Sequence, residues 1–172
     1  MYAVERVKMY AKGHIGLTLL ILSLLMLPFG NNQNAILIII LASGISPLPD
    51  IDLEWRRRGL PVHHRGITHS ILFAILIGFL IGGLFYYGHE TFLWLGIGFL
   101  GGFLGIVSHL IGDSFTFHSF KPLWPFSDIE ITFGLCKASD KEVNENLMTI
   151  GVFAFIMYIF ITQGLYTYLI HL

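Results

Sequence analysis

The chain alternates long apolar runs with short polar breaks. The apolar runs are Ile15–Phe29, Ala35–Leu48, Ile71–Tyr87, Phe92–Ile111 and Leu147–Ile170. A helix needs roughly 20 apolar residues to cross about 30 Å of hydrocarbon. The first two runs are short and would span by recruiting Gly13, His14 and Ser46, by thinning the bilayer locally, or as a partly re-entrant hairpin. The pattern predicts an all-α fold: a polytopic helical bundle of about five transmembrane helices, forming a single integral membrane domain over residues 1–172. The final crossing is expected at about 140–171.

The breaks are informative too. Asn31, Asn32, Gln33 and Asn34 read as a turn, and no small-residue cleavage pattern follows the first run, so that run is read as an uncleaved helix rather than a secretory signal. Pro47 and Pro49 break the second helix and predict an extended turn with Asp50 and Asp52 along one edge. Ser139-x-x-Glu142 has capping-box spacing ahead of the last helix. Glycine is dense in the third and fourth segments, at Gly78, Gly82, Gly83, Gly96, Gly98, Gly101, Gly102 and Gly105. Small residues four apart let membrane helices approach closely, and intramolecular packing is the expectation ahead of dimerisation.

Composition agrees with the pattern: of 172 residues, 55% are hydrophobic and 12% charged, with mean hydropathy +0.73, more apolar than a soluble domain tolerates. A formal net charge of −1 leaves no nucleic-acid footprint. The single cysteine, Cys136, excludes an intramolecular disulfide and is read as a loop residue without a role. Charge placement says more than charge balance. Arg6, Lys8, Lys12, Arg56, Arg57, Arg58, Arg65, Lys121, Lys137 and Lys141 all lie in the N-terminal segment, the second-to-third loop or the fourth-to-fifth loop. Basic residues favour the cytoplasmic side, so a multi-pass protein of the cell membrane is expected, N-terminus cytoplasmic and C-terminus external.

Seven potential metal ligands stand at the segment ends on that same side. His14 opens the first, Asp50 and Asp52 close the second, His64 and His69 lead into the third, and His109 and Asp113 close the fourth. His109 and Asp113, four apart, share a helix face. Thr68 or Ser70 is available to cap the third helix. Imidazole with carboxylate suits zinc, manganese or iron better than magnesium or calcium, and seven ligands exceed what one zinc takes, so two or three ions are expected at the cytoplasmic interface. Such a centre activates water for phosphoester cleavage, with an aspartate such as Asp50, Asp52 or Asp113 taking the proton and Arg65 binding a phosphate oxygen.

Four motifs carry a family resemblance: Pro-Asp-Ile-Asp at Pro49–Asp52, His-Arg-Gly-Ile-Thr-His-Ser at His64–Ser70, His-Leu-Ile-Gly-Asp-Ser-Phe-Thr at His109–Thr116, and Pro-Leu-Trp-Pro-Phe at Pro122–Phe126. Together they resemble the YdjM-like membrane-bound metal-dependent hydrolases, over a core of about 14–126. The resemblance implies metal at His14, Asp50, Asp52, His64, His69, His109 and Asp113. A distant similarity to the zinc-dependent phospholipase C and P1 nuclease group would imply a trinuclear zinc site. The family's N-terminal histidine often follows threonine, whereas Gly13 precedes His14.

The remaining polar residues have plainer readings. His63 is read as a neighbour of the site, His118 as a loop histidine, and His89 and His171 as spectators on the other side. Glu54 with Arg56, Arg57 and Arg58 reads as a solvated loop that can meet anionic headgroups, and Trp55, Trp94 and Trp124 as interfacial anchors. The expected function is hydrolysis of a phosphoester or ester of a lipid or amphiphile, with membrane lipids as partners. The rival is a metal-binding membrane protein without catalysis, structural, regulatory or transporting. The segment middles lack Asp, Glu, Lys, Arg and His, which counts against a transport path. No Gly-rich phosphate loop or Gly-x-Ser-x-Gly elbow is present.

Overall fold

A computed structural model describes residues 9–61 and 65–164. Arg6, Lys8, His63, His64, His171 and the end of the last apolar run lie outside them. Among the described residues there are six α-helices: α1 (Ala11–Met26), α2 (Gln33–Ile45), α3 (Ile51–Arg57), α4 (Ile71–His89), α5 (Phe92–Ser114) and α6 (Lys141–Thr162). Five stretches are long and apolar enough to cross a membrane, the second being Gln33–Arg57. The two short runs lengthen by recruitment. α1 begins at Ala11, taking in Gly13 and His14, and continues through a tight turn at Leu27–Phe29.

Two local expectations are corrected. The segment after α2 is not extended: Pro47 (φ −78°, ψ −5°) and Asp50 (φ −69°, ψ 0°) are helical, and a 3-10 turn at Leu48–Asp50 leads directly into α3. Pro49 sits in the first turn of that element, where its missing N–H has no bond to lose. Two residues apart on a helical backbone, Asp50 and Asp52 point to nearly opposite sides rather than along one edge. The cap of α6 is Asp140, not Ser139: its carboxylate accepts from the N–H groups of Glu142 and Val143. A carboxylate beside the positive end of the helix satisfies two otherwise unpaired donors.

Glycine sets the helix spacing. α4 and α5 form an antiparallel pair in which a Cβ at Gly98 would lie 2.8 Å from the Ile81 carbonyl oxygen, and one at Gly82 2.8 Å from that of Leu95. An adjoining strip of α5 receives α2, since a Cβ at Gly105 would lie 2.6 Å from the Ala42 carbonyl oxygen. α1 packs against α6 in the same direction: Asn144 accepts from the Tyr10 N–H at the start of both, and Gly16 meets Gly151 further along. Leu19, Leu22, Ala35, Ile39, Ala42 and Tyr158 form the apolar core of α1, α2 and α6.

These pairings bring the start of α1, the end of α2, the start of α4 and the end of α5 to one end of the bundle. The chain following α5 folds back there, held by short bridges between Thr116 and Cys136 and between Phe120 and Ile131. It is tied to α4 by the Ile71 N–H donating to the Pro122 carbonyl at 2.8 Å.

Candidate metal centre

Helix ends deliver the donors. Ser70 caps α4 by accepting from the Phe73 N–H at 3.2 Å, which fixes His69 one residue ahead of the cap. His109 and Asp113 follow each other on one face of α5. Gly112 between them leaves room for α1, since a Cβ there would come within 3.0 Å of Leu17 and 3.3 Å of the His14 ring. His14 consequently stacks on His109, with centroids 3.8 Å apart. The glycine before His14 is explained on the other side: any Cβ at Gly13 would collide with the Asn144 carboxamide of α6.

Two groups have donor atoms close enough to hold an ion, His14 with His109 and Asp113, and Asp50 with His69 and His109, each within 4.8 Å of one another. His69 Nε2 lies 3.3 Å from Asp113 Oδ2 and 3.2 Å from His109 Nε2, while His109 Nε2 is 3.7 Å from the same Asp113 oxygen. His14 and Asp50 stand further out, at 3.9 Å from Asp113 Oδ1 and from His69 Nε2.

Proton positions follow from the partners. His109 Nδ1 is 2.8 Å from the Ser46 carbonyl, which can only accept, so Nδ1 carries the proton and Nε2 presents its lone pair. Thr68 donates its hydroxyl proton to Asp52 Oδ2 at 3.1 Å and therefore accepts from His69 Nδ1 at 3.0 Å. His69 Nε2 is thereby also left as an acceptor. With both rings neutral, two imidazole lone pairs and a carboxylate oxygen face one another at 3.2 to 3.7 Å. Such an arrangement is repulsive unless a proton or a metal cation lies between. Donors bonded at about 2.0–2.1 Å in a tetrahedral site stand roughly 3.3 Å apart, so the spacing fits a transition-metal ion.

Not every expected ligand joins this set. Asp52 lies behind His69, 3.5 Å from Nδ1, while Asp50 faces Nε2. His109, with Nδ1 engaged by Ser46, has one nitrogen for the two groups it shares, so the ion positions these groups define overlap. Arg65 does not present the open guanidinium expected for a phosphate. Its Nη2 is 3.1 Å from Asp113 Oδ1 and 3.0 Å from Thr116 Oγ1, its Nη1 donates to the His118 carbonyl, and its backbone N–H donates to Asp52 at 2.9 Å. Arg65 holds this geometry in the left-handed region, φ 62°. His118 is an exposed loop residue, as expected, and His89 stacks on Trp94 at the opposite end of the bundle. Burial and the nearby Asp140 push the Cys136 thiol up, which suits a residue without reactivity.

Sequence reasoning missed the supports. Thr68 was open to a capping role and instead orients His69; Ser46 acts through its backbone carbonyl; Asn144, fully buried, locks α6 to the start of α1. Only Thr68 had a signal, its place beside His69 in the motif.

Beside these supports lies a cavity of about 530 Å³, walled by Trp55, Phe120, Trp124 and Lys121, with Asp52, Arg65 and Thr68 on the side toward the histidines. Lys121 pairs with Asp128 at 2.7 Å, which raises the amine's pKa and lowers the carboxyl's.

Fold and site together define a helical membrane protein with side chains able to bind a metal ion at one end of its bundle. The chain belongs to the YdjM inner membrane protein family, whose model matches residues 9–170. No curated protein and no solved structure matches it.

Proposed function

We propose that the protein is a membrane-bound metal-dependent hydrolase acting on a phosphoester or ester of a lipid or amphiphile. The observation that carries this reading is the convergence of His69 Nε2, His109 Nε2 and Asp113 Oδ2, with both ring protons directed outward to Thr68 and Ser46. His69, His109 and Asp113 hold the ion, with His14 and Asp50 as the further ligands. Asp52 orients His69 through Thr68, and Arg65 positions the Asp113 carboxylate. The two or three ions expected from seven ligands require donors beyond this set, His64 among them. Zinc suits the donors best, with manganese or iron as alternatives. When bound, such an ion supplies Lewis acidity and lowers the pKa of water toward neutrality.

The aromatic cavity supports an amphiphilic substrate. Trp55, Phe120 and Trp124 accommodate an apolar body and Lys121 a polar head; of the two carboxylates that line the cavity, Asp52 and Glu130, Asp52 is the one beside the histidines that can accept a water proton. The basic loops support a cytoplasmic position for this end of the bundle. A specific observation favours the rival: His14, His69 and His109 expose nothing and Asp113 only 1%, as in a closed structural site.

Elemental mass spectrometry of the detergent-purified protein, with His69→Ala and Asp113→Ala alongside, tests the centre. Bound zinc, manganese or iron that is lost in both variants supports it. Absence of metal after reconstitution with each ion overturns it. Hydrolysis of phosphoester and lipid substrates by the loaded protein, absent in the variants, then separates the enzyme from the structural site.

A further inference from the structure

Among the donors, Asp50 is set apart by its surroundings. The three histidines and Asp113 are sealed, whereas Asp50 is partly exposed and lines a second cavity of about 460 Å³. That cleft lies between the start of α1 and the end of α2, walled by Ala11, Gly44, Pro47 and Leu48, with Asp50 as its charged group. Asp50 Oδ1 is in turn 3.9 Å from His69 Nε2, so one carboxylate touches both the cleft and the buried donors. The larger aromatic cavity differs in two respects. It reaches the centre only through Asp52, Arg65 and Thr68, whose hydrogen bonds to one another and to His69 form a wall. Arg65 also places a guanidinium 3.1 Å from Asp113 Oδ1, so a cation coming from that side meets a fixed positive charge before it meets the carboxylate.

We infer that the Ala11–Gly44–Asp50 cleft is the port of the metal centre, where a divalent cation enters and leaves by passing from Asp50 to His69. The inference rests on the reading that the histidine cluster binds metal. An anionic ligand first replaces part of the ion's water shell at the mouth, and the imidazoles replace the rest inside.

Filling the cleft tests this. A Cβ at Gly44 meets no atom within 4 Å, so Gly44→Phe grows into the cleft without displacing a helix, and Ala11→Phe obstructs it from the opposite wall should the first variant fail to fold. Each zinc-loaded variant is mixed with excess chelator and zinc release is followed in time. The expected result is wild-type zinc content at equilibrium with release slowed about tenfold. Ser119→Trp, which narrows the aromatic cavity, leaves the rate unchanged. Release as fast as wild-type from both cleft variants overturns the port while leaving the metal centre standing, as does slowing confined to Ser119→Trp. A wild-type protein that takes up no zinc overturns the metal centre, and the port with it.

Discussion

α4 and α5 pack against each other along most of their length, are both rich in glycine, and are used in opposite ways. Of the apolar stretch of α4, the more hydrophobic of the two, 17% is buried inside the bundle; of α5, 56%. α4 buries only Ala74, Gly78 and Gly82 along its length. α5 buries Gly98, Gly101, Gly102, Gly105 and Gly112 along one broad strip and carries His109 and Asp113 at its end. Apolarity by itself therefore marks contact with lipid. The helix that organises the bundle is marked by small residues that admit more than one neighbour, and by polar residues where those neighbours end.

The largest test of that contrast is Asp113→Ala. Removing this carboxylate leaves the buried Arg65 guanidinium without its ion-pair partner, and breaking a buried pair from one side costs about 3–5 kcal/mol. We expect a large drop in the thermal unfolding midpoint in detergent, together with loss of bound metal. Asp113→Asn, which retains volume and removes charge, should lose metal as well. An unchanged midpoint in Asp113→Ala would show that α5 does not organise this end of the bundle.

The shared face of the two helices comes next. At Gly98 an added Cβ would lie 2.8 Å from the Ile81 carbonyl oxygen, whereas at Gly96 it would meet nothing within 4 Å. Gly98→Leu is expected to destabilise by about 1–3 kcal/mol through overpacking. Gly96→Leu, on the same helix two residues away, should leave the unfolding midpoint in place. Equal effects would mean that helix propensity rather than close approach explains the glycines.

Thr68→Val touches the start of α4, where it does contribute to the centre. The substitution keeps the shape of the side chain and removes the hydroxyl that links His69 Nδ1 to Asp52. Loss of a partner that orients a metal-binding histidine weakens metal affinity by about 10–100-fold. Competition with a chelator of known affinity measures this, and Thr68→Ser should restore most of the binding. An unaltered affinity in Thr68→Val would remove the orienting role.

The five spans and the gathering of His14, Asp50, His69, His109 and Asp113 at one end were legible in the sequence, because length and composition report on helices and helix ends on topology. The sorting of glycines on α5 was half legible: the four-residue spacing predicts close packing, and only the structure assigns Gly98 to α4 and Gly105 to α2. The Gly16–Gly151 contact was invisible, since it joins distant helices neither of which repeats glycine at that spacing. Spacing also cannot say which ring nitrogen a neighbour meets. For this reason Asp52 was grouped with Asp50, although one lies beside Nδ1 of His69 and the other beside Nε2. The orientation of Arg65 was hidden for a related reason: a guanidinium near a metal site can face a ligand or brace a carboxylate, and spacing does not distinguish the two.

The smallest expected effect lies on the outer face of α4. Leu80 and Leu84, one turn apart, are 57% and 60% exposed. In water such a ridge would be an aggregation hazard, and truncating it would alter solubility. In a bilayer the lipid tails are as apolar as leucine, so removing methyl groups there transfers nothing between unlike solvents. Leu80→Ala and Leu84→Ala are each expected to change stability in detergent or lipid by no more than about 0.5 kcal/mol. Metal content should be unaffected. A loss of several degrees in the unfolding midpoint would instead reveal that this face meets protein, most simply a second copy of the chain, and the contrast between an organising α5 and a lipid-facing α4 would have to be redrawn with both helices buried.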